Sequence, residues 1–274
     1  MTGRESTTSP RAIAAAFPLA LLVTATSLGG LLLPSSYARE TANWAAQAVG
    51  QDWVDLLFAV PWLAITGALA LRGWRPALPL LAGGYAYTAY QFAIYAFAVH
   101  FNALFLVYCA ALGVSSFAFA GTAAALTKSE VGEIGARVPV RLTGGFLIAV
   151  GALFALLWLA DIVPALLHGG TPRSTAEAGA ITNPVHVMDL SVVLPAHVAC
   201  GVSLIRGRPF GRAFAPVLLS FGVLMALSIA GMMVVMRIRG EAAELPVVAA
   251  MITVSAASAA IMVVYLRRLR QAYG

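Results

Sequence analysis

Charge is what this chain has least of. Of its 274 residues only 10% are Asp, Glu, Lys or Arg, while 61% are hydrophobic and the mean hydropathy is +0.88. A soluble domain carries about 25% charged residues, so a water-soluble globular protein is excluded. Lysine occurs once, as Lys128 between two apolar runs, which excludes a Schiff-base lysine inside a span. Cysteine occurs twice, and Cys109 and Cys200 stand alone in apolar segments without CxxC spacing. Thiol redox chemistry therefore has no residues to work with. There is no glycine-rich phosphate loop and no nucleophile elbow. The net charge of +6 is spread over short loops and not gathered into a patch, so nucleic acid is not an expected partner.

What the chain has instead is apolar runs near 20 residues, the length that crosses a bilayer. Eight are expected, over 12–33, 54–71, 77–99, 103–127, 142–167, 185–205, 213–236 and 245–266. The first exceeds the ~7–15-residue core of a signal peptide and is read as a span. The fold class expected is all-α, a polytopic membrane protein with the lipid bilayer as its surroundings. Thirteen Lys and Arg residues fall on one side of this arrangement and four, Arg39, Arg173, Arg237 and Arg239, on the other. The positive-inside rule then puts both termini in the cytoplasm of a cell-membrane protein. The outer segments 34–53 and 168–184 read as loops or short surface helices.

The stretch Thr182 to Pro209 organises the rest. Thr182 and Asn183 are good N-cap residues and Pro184 suits a first helical position. Asp189-Leu190, Pro195, Gly201 and Arg206-Gly207 repeat Asp55-Leu56, Pro61, Gly67 and Arg72-Gly73, each 134 positions apart without a gap. This points to a duplication, with residues 1–134 and 135–274 as two tandem four-helix membrane repeats. An even number of spans per repeat gives both halves one orientation, related by an axis along the membrane normal.

Ionisable residues at membrane depth are functional candidates by default. Asp52 and Asp55 open the second span, His100 and Asn102 bracket a turn, Asp161 lies about six residues inside the fifth span, and His186 and Asp189 open the sixth. His186 and Asp189 are three apart and share a face. On the duplication, Asp55 matches Asp189 and Asp52 matches His186. Such a set suits a divalent cation, a proton relay or general acid–base chemistry. Asp52 and Asp55 would equally serve as helix caps. In the third span Tyr87, Gln91 and Tyr95 recur at i, i+4 and make one polar aromatic face, fit to line a cavity for a small amphipathic ligand or to bond to neighbouring helices. His197, mid-span, reads as a packed histidine.

The segments HFNALFLVY at 100–108, WLADIVPALLHG at 158–169 and TNPVHVMDLSVVLP at 182–195 resemble a family of bacterial multi-pass membrane proteins of unknown function. That resemblance implies a membrane location and no activity. The four-helix unit is loosely similar in architecture to DoxX-type membrane proteins, which carries no residue roles over. The leading expectation is a binding or transport protein with one outward-facing pocket combining Asp55, Asp161, His186 and Asp189 with the tyrosine face. The alternative is a metal-dependent hydrolase of a lipid-like substrate, with a divalent cation held by the same four residues.

Overall fold

The computed structural model describes residues 10–128 and 139–273. The expected repeat boundary at 134/135 lies outside the described residues. Among these the chain is all helix, without a strand. In chain order the helices are α1 (Pro10–Leu32), α2 (Ala42–Leu71), α3 (Ala77–Ala98), α4 (Phe105–Lys128), α5 (Val140–Leu167), the short α6 (Arg173–Ala178), α7 (Pro184–Ile205), α8 (Pro209–Ile238) and α9 (Leu245–Tyr273). Seven of them are long and apolar enough to cross a membrane. The eighth long helix, α3, has 22 residues. It falls short in apolarity because it carries Tyr85, Tyr87, Tyr90, Gln91 and Tyr95.

Those polar residues survive in α3 because it is an interior helix, with 14 of its 22 residues buried. It packs on α2, α4 and α8. Gly83 lets the α8 backbone come close, and the Ser220 hydroxyl donates to Leu80 O at 2.9 Å across that contact. Helix α8 is the most enclosed of the apolar helices and α5 the least, with 50% and 11% of their apolar windows buried. The side chains of α5 that point outward, among them Leu153, Leu156, Leu166 and Leu167, are what a lipid-facing helix presents.

The sequence expectation fails at the start of α2. Residues 34–53 are not all loop: the helix begins at Ala42, with Thr41 Oγ1 accepting the Trp44 N–H at 3.1 Å. Asp52 and Asp55 therefore lie inside a 30-residue helix and cap nothing. The capping donors they would serve are a dozen residues upstream.

Both α2 and α7 contain one widened, π-type turn, Asp55–Ala59 and Asp189–Val193. In each, the N–H five residues on, Val60 or Leu194, reaches back to the aspartate carbonyl. The cause is the proline that follows, Pro61 or Pro195. Its ring clashes with the carbonyl four residues earlier and it has no N–H to give. Taking in one extra residue relieves the clash without breaking the helix. The two turns, the helical stretches after them (Val60–Leu71 and Leu194–Ile205) and the positive-φ glycines that end them (Gly73 and Gly207) all stand 134 positions apart. At the head of α7, Asn183 Oδ1 accepts from Val185 and His186 N–H, with Pro184 as first residue, as its sequence predicts.

Candidate functional site

Asp55 opens the π-turn of α2 and has no exposed surface. Three side-chain donors converge on it. Gln51, one turn earlier, gives Nε2–H to Oδ1 at 2.9 Å, and the Tyr87 hydroxyl donates to the same oxygen at 2.9 Å. Gln91 gives its Nε2–H to Oδ2. Tyr87 and Gln91 are one turn apart on α3, so their reach to a single carboxylate follows from helix periodicity. Gln51 also donates to the Tyr87 oxygen at 2.6 Å and accepts from Ser228 of α8. Two helices thus meet on one carboxylate, and a third, α8, holds Gln51 from behind. Oε1 of Gln91 is buried without a hydrogen-bond partner.

Asp52 lies one turn before Asp55 on the same face and is 1% exposed. The Tyr37 hydroxyl, from the loop after α1, donates to its Oδ2 at 2.8 Å. Burial, and then the neighbouring Asp52 charge, hold the Tyr37 phenol well above its ordinary pKa, so it stays a proton donor. The Tyr95 hydroxyl of α3 donates to Ala48 O, one turn before Asp52, at 3.3 Å. Tyr37, Tyr95 and Tyr108 meet edge to face, with centroids 6.4 and 5.3 Å apart. Gly30 leaves the space that the Asp52 carboxylate and the Tyr37 hydroxyl fill. In front of Tyr37 lies a cleft of about 550 Å³ lined by Leu28, Leu31, Ala45, Val49 and Trp53, with Arg239 among its walls.

Asp161, His186 and Asp189 belong to a second group. Asp161 accepts the Arg173 N–H at 3.1 Å and the Ser174 hydroxyl at 2.6 Å, and so holds the start of α6. His186 Nε2 is 3.9 Å from Asp161 Oδ2 and 3.4 Å from Ser174 Oγ. Its ring packs on Trp158, centroids 4.8 Å apart, and Trp158 Nε1–H donates to Asp189 Oδ2 at 2.7 Å. Tyr90 of α3 completes the Asp189 environment. Asp161 and Asp189 are thus linked through His186 and Trp158, each held by partners of its own. The serine, histidine and acid do not form a nucleophilic triad: the carboxylate takes the serine proton and sits on the same imidazole nitrogen.

The structure brings some of the expected residues together and separates others. Tyr87 and Gln91 do meet Asp55, and His186 and Asp189 do share a face. Asp55 shares no partner with Asp161, His186 or Asp189, so the expected single pocket divides in two. The tyrosine face is packed against carboxylates and lines no ligand cavity: Tyr87, Gln91 and Tyr95 are 1, 5 and 6% exposed. His100 and Asn102 tie outer loops together instead. His100 pairs with Glu40 at 3.0 Å, and Asn102 donates to Ser36 O at 3.0 Å and caps Leu104. Among the described residues no three His, Cys, Asp or Glu side chains are grouped to hold a metal ion, because Asp55 stands apart from the other three candidates. His197 is packed, bonded to Val193 O at 2.8 Å.

Tyr90 adjoins the tyrosine face read from the sequence, whereas Gln51, Tyr37, Trp158 and Ser228 are not found by that reading. Each earns its place through a tertiary contact, which spacing along one helix does not reveal. Gln51 alone had a local signal, four residues before Asp55. No family model, curated protein or solved structure matches the chain.

Proposed function

We propose that the protein crosses the cell membrane eight times, as two tandem four-helix halves with both termini cytoplasmic, and binds and transports a small cation. The observation that carries the reading is Asp55: a carboxylate with no exposed surface, at a widened turn of a membrane-length helix, met by a donor from its own helix and two from α3. Ionisable groups at such depth mark ion pathways and proton relays, and π-turns concentrate at functional sites. Asp55 precedes Leu71 by sixteen residues, as Asp189 precedes Ile205. At ~1.5 Å per residue both stand ~24 Å from that helix end, inside a hydrocarbon core of ~30 Å. Helix α3 joins them, touching Asp55 through Tyr87 and Asp189 through Tyr90. The matched turns, prolines and glycines support the duplication.

The metal-dependent hydrolase is not carried forward, since its four ligands are not gathered. The test is flux. Liposomes holding the purified protein, loaded with a pH-sensitive or a sodium-sensitive dye, should dissipate a proton or a sodium gradient faster than empty liposomes. Asp55→Asn and Asp189→Asn should each slow that at least tenfold. Wild-type liposomes indistinguishable from empty ones under both gradients would remove the proposal.

A further inference from the structure

We propose that Asp52, Asp55 and Gln91 form a binding site for a monovalent cation, a proton or a sodium ion, entered from the outer cleft past Tyr37. The site deepens the transport reading above but is tested by occupancy, independently of flux. Two carboxylates lie one turn apart on one face of α2, 1% and 0% exposed, and near enough that Asp52 feels the Asp55 charge. The groups that hold them are amides and hydroxyls, none of them cationic. Burying unpaired negative charge is expensive, and a single positive charge between the carboxylates offsets it.

Gln91 is an independent sign of the same thing. It is 5% exposed, and its amide is anchored on Asp55 through nitrogen, which leaves Oε1 buried beside the carboxylates with no donor. Buried polar atoms are nearly always paired, and an orphan acceptor among acceptors calls for a proton donor or a cation. On α3, Gln91 serves Asp55, and Tyr95, one turn on, donates to Ala48 O. All the free valences are oxygen, the set a proton or sodium takes and a soft metal does not.

The way in is equally local. Among the described residues, Tyr37 both lines the cleft and donates its hydroxyl to the Asp52 carboxylate, and Gly30 keeps that junction open to both groups. The titratable groups facing the site are Asp52 and Asp55 themselves on α2, Tyr87 and Tyr95 of α3, Tyr37 of the loop and, behind it, Tyr108 of α4. Helix α8 brings only Ser228, through Gln51.

Difference infrared spectroscopy of the purified protein, with pH stepped in sodium or in choline buffer, reads the site directly. A buried carboxyl band should titrate and should vanish in Asp55→Asn. A midpoint equal in both buffers assigns the site to protons, and one moved at least one pH unit by sodium assigns it to sodium. Gln91→Met, a volume-matched change, should move the midpoint by at least one unit with the helical content by circular dichroism unchanged. After a pH jump, Tyr37→Phe, which removes the hydroxyl that donates to Asp52, should slow the band's response at least tenfold. A band that survives Asp55→Asn and Asp52→Asn together, or carboxylates that stay ionised throughout without a sodium response, overturns the site. An unchanged rate in Tyr37→Phe overturns the entry route. Flux in liposomes without such a band also overturns the site, whereas the band without flux supports it and removes the transport reading alone.

Discussion

Gly30 is the tightest position in the acidic network. A Cβ there would stand within bonding distance of both the Asp52 carboxylate and the Tyr37 hydroxyl. The contact is with a buried pair held on both sides, so there is little room to relax. Gly30→Ala should destabilise by about 1–3 kcal/mol, as overpacking does, and lower the midpoint of thermal unfolding in detergent. An unchanged midpoint would mean that Asp52 and Tyr37 are not locked together. Ser228 poses the opposite case, a small residue whose loss leaves a hole in the bonding. Its hydroxyl is the donor to Gln51 Oε1, and Ser228→Ala would strand that acceptor at a cost of about 1–3 kcal/mol. Because Gln51 in turn orders Tyr87 and Asp55, the same variant should also shift the carboxyl band of Asp55. Thermal loss without a spectral change would confine Ser228 to packing.

At the scale of the helix, the π-turns separate what the sequence could tell from what it could not. Apolar runs announced the spans because length and hydropathy are local. The first third of α2 escaped because Asn43, Gln47, Gln51 and Asp52 look like loop residues. Asn43 and Gln47 pair with each other within the helix, while Gln51 and Asp52 find Tyr37, Tyr87 and Ser228 in other segments. The polar face of α3 was legible from its i, i+4 spacing, but its partner was not, since nothing in one helix says which neighbour it meets. The π-turns were latent in the pairs Asp55–Pro61 and Asp189–Pro195. Proline in a helix interior costs about 3 kcal/mol, and its retention in both helices suggests a use. Pro61→Ala and Pro195→Ala would restore the missing N–H and let a regular helix form. The unfolding midpoint should hold or rise, while the rotation of Asp55 or Asp189 away from its donors should cut ion flux at least tenfold. Full flux in both variants would make the turns incidental.

Across the whole molecule, the two stretches 134 positions apart share a π-turn and the proline after it and differ in what holds their aspartates. Asp55 is held by two amides and a tyrosine, Asp189 by a tryptophan and a tyrosine, and the positions matching Tyr87 and Gln91 are Phe221 and Met225. On the proposed duplication and membrane crossing, like helices carry unlike chemistry, and the Tyr37 cleft would face one side of the membrane. Which face that is follows from charge. The turns at Arg72, Arg75, Arg206 and Arg208 join helix ends opposite to those near Arg39, Arg173 and Arg239, and the richer side should be cytoplasmic. On that expectation the cleft, with Tyr37 and Arg239, opens outward, and the proposed cation would enter Asp52 from outside. Ile181, fully exposed between α6 and α7, and Trp74, in the turn between α2 and α3 and 39% exposed, report the two sides. With the exposed Cys109 replaced by Ser, Ile181→Cys should react with an impermeant maleimide on intact cells and Trp74→Cys only after lysis. The reverse pattern would turn the cleft to the cytoplasm, so that Asp52 would load its cation from inside the cell.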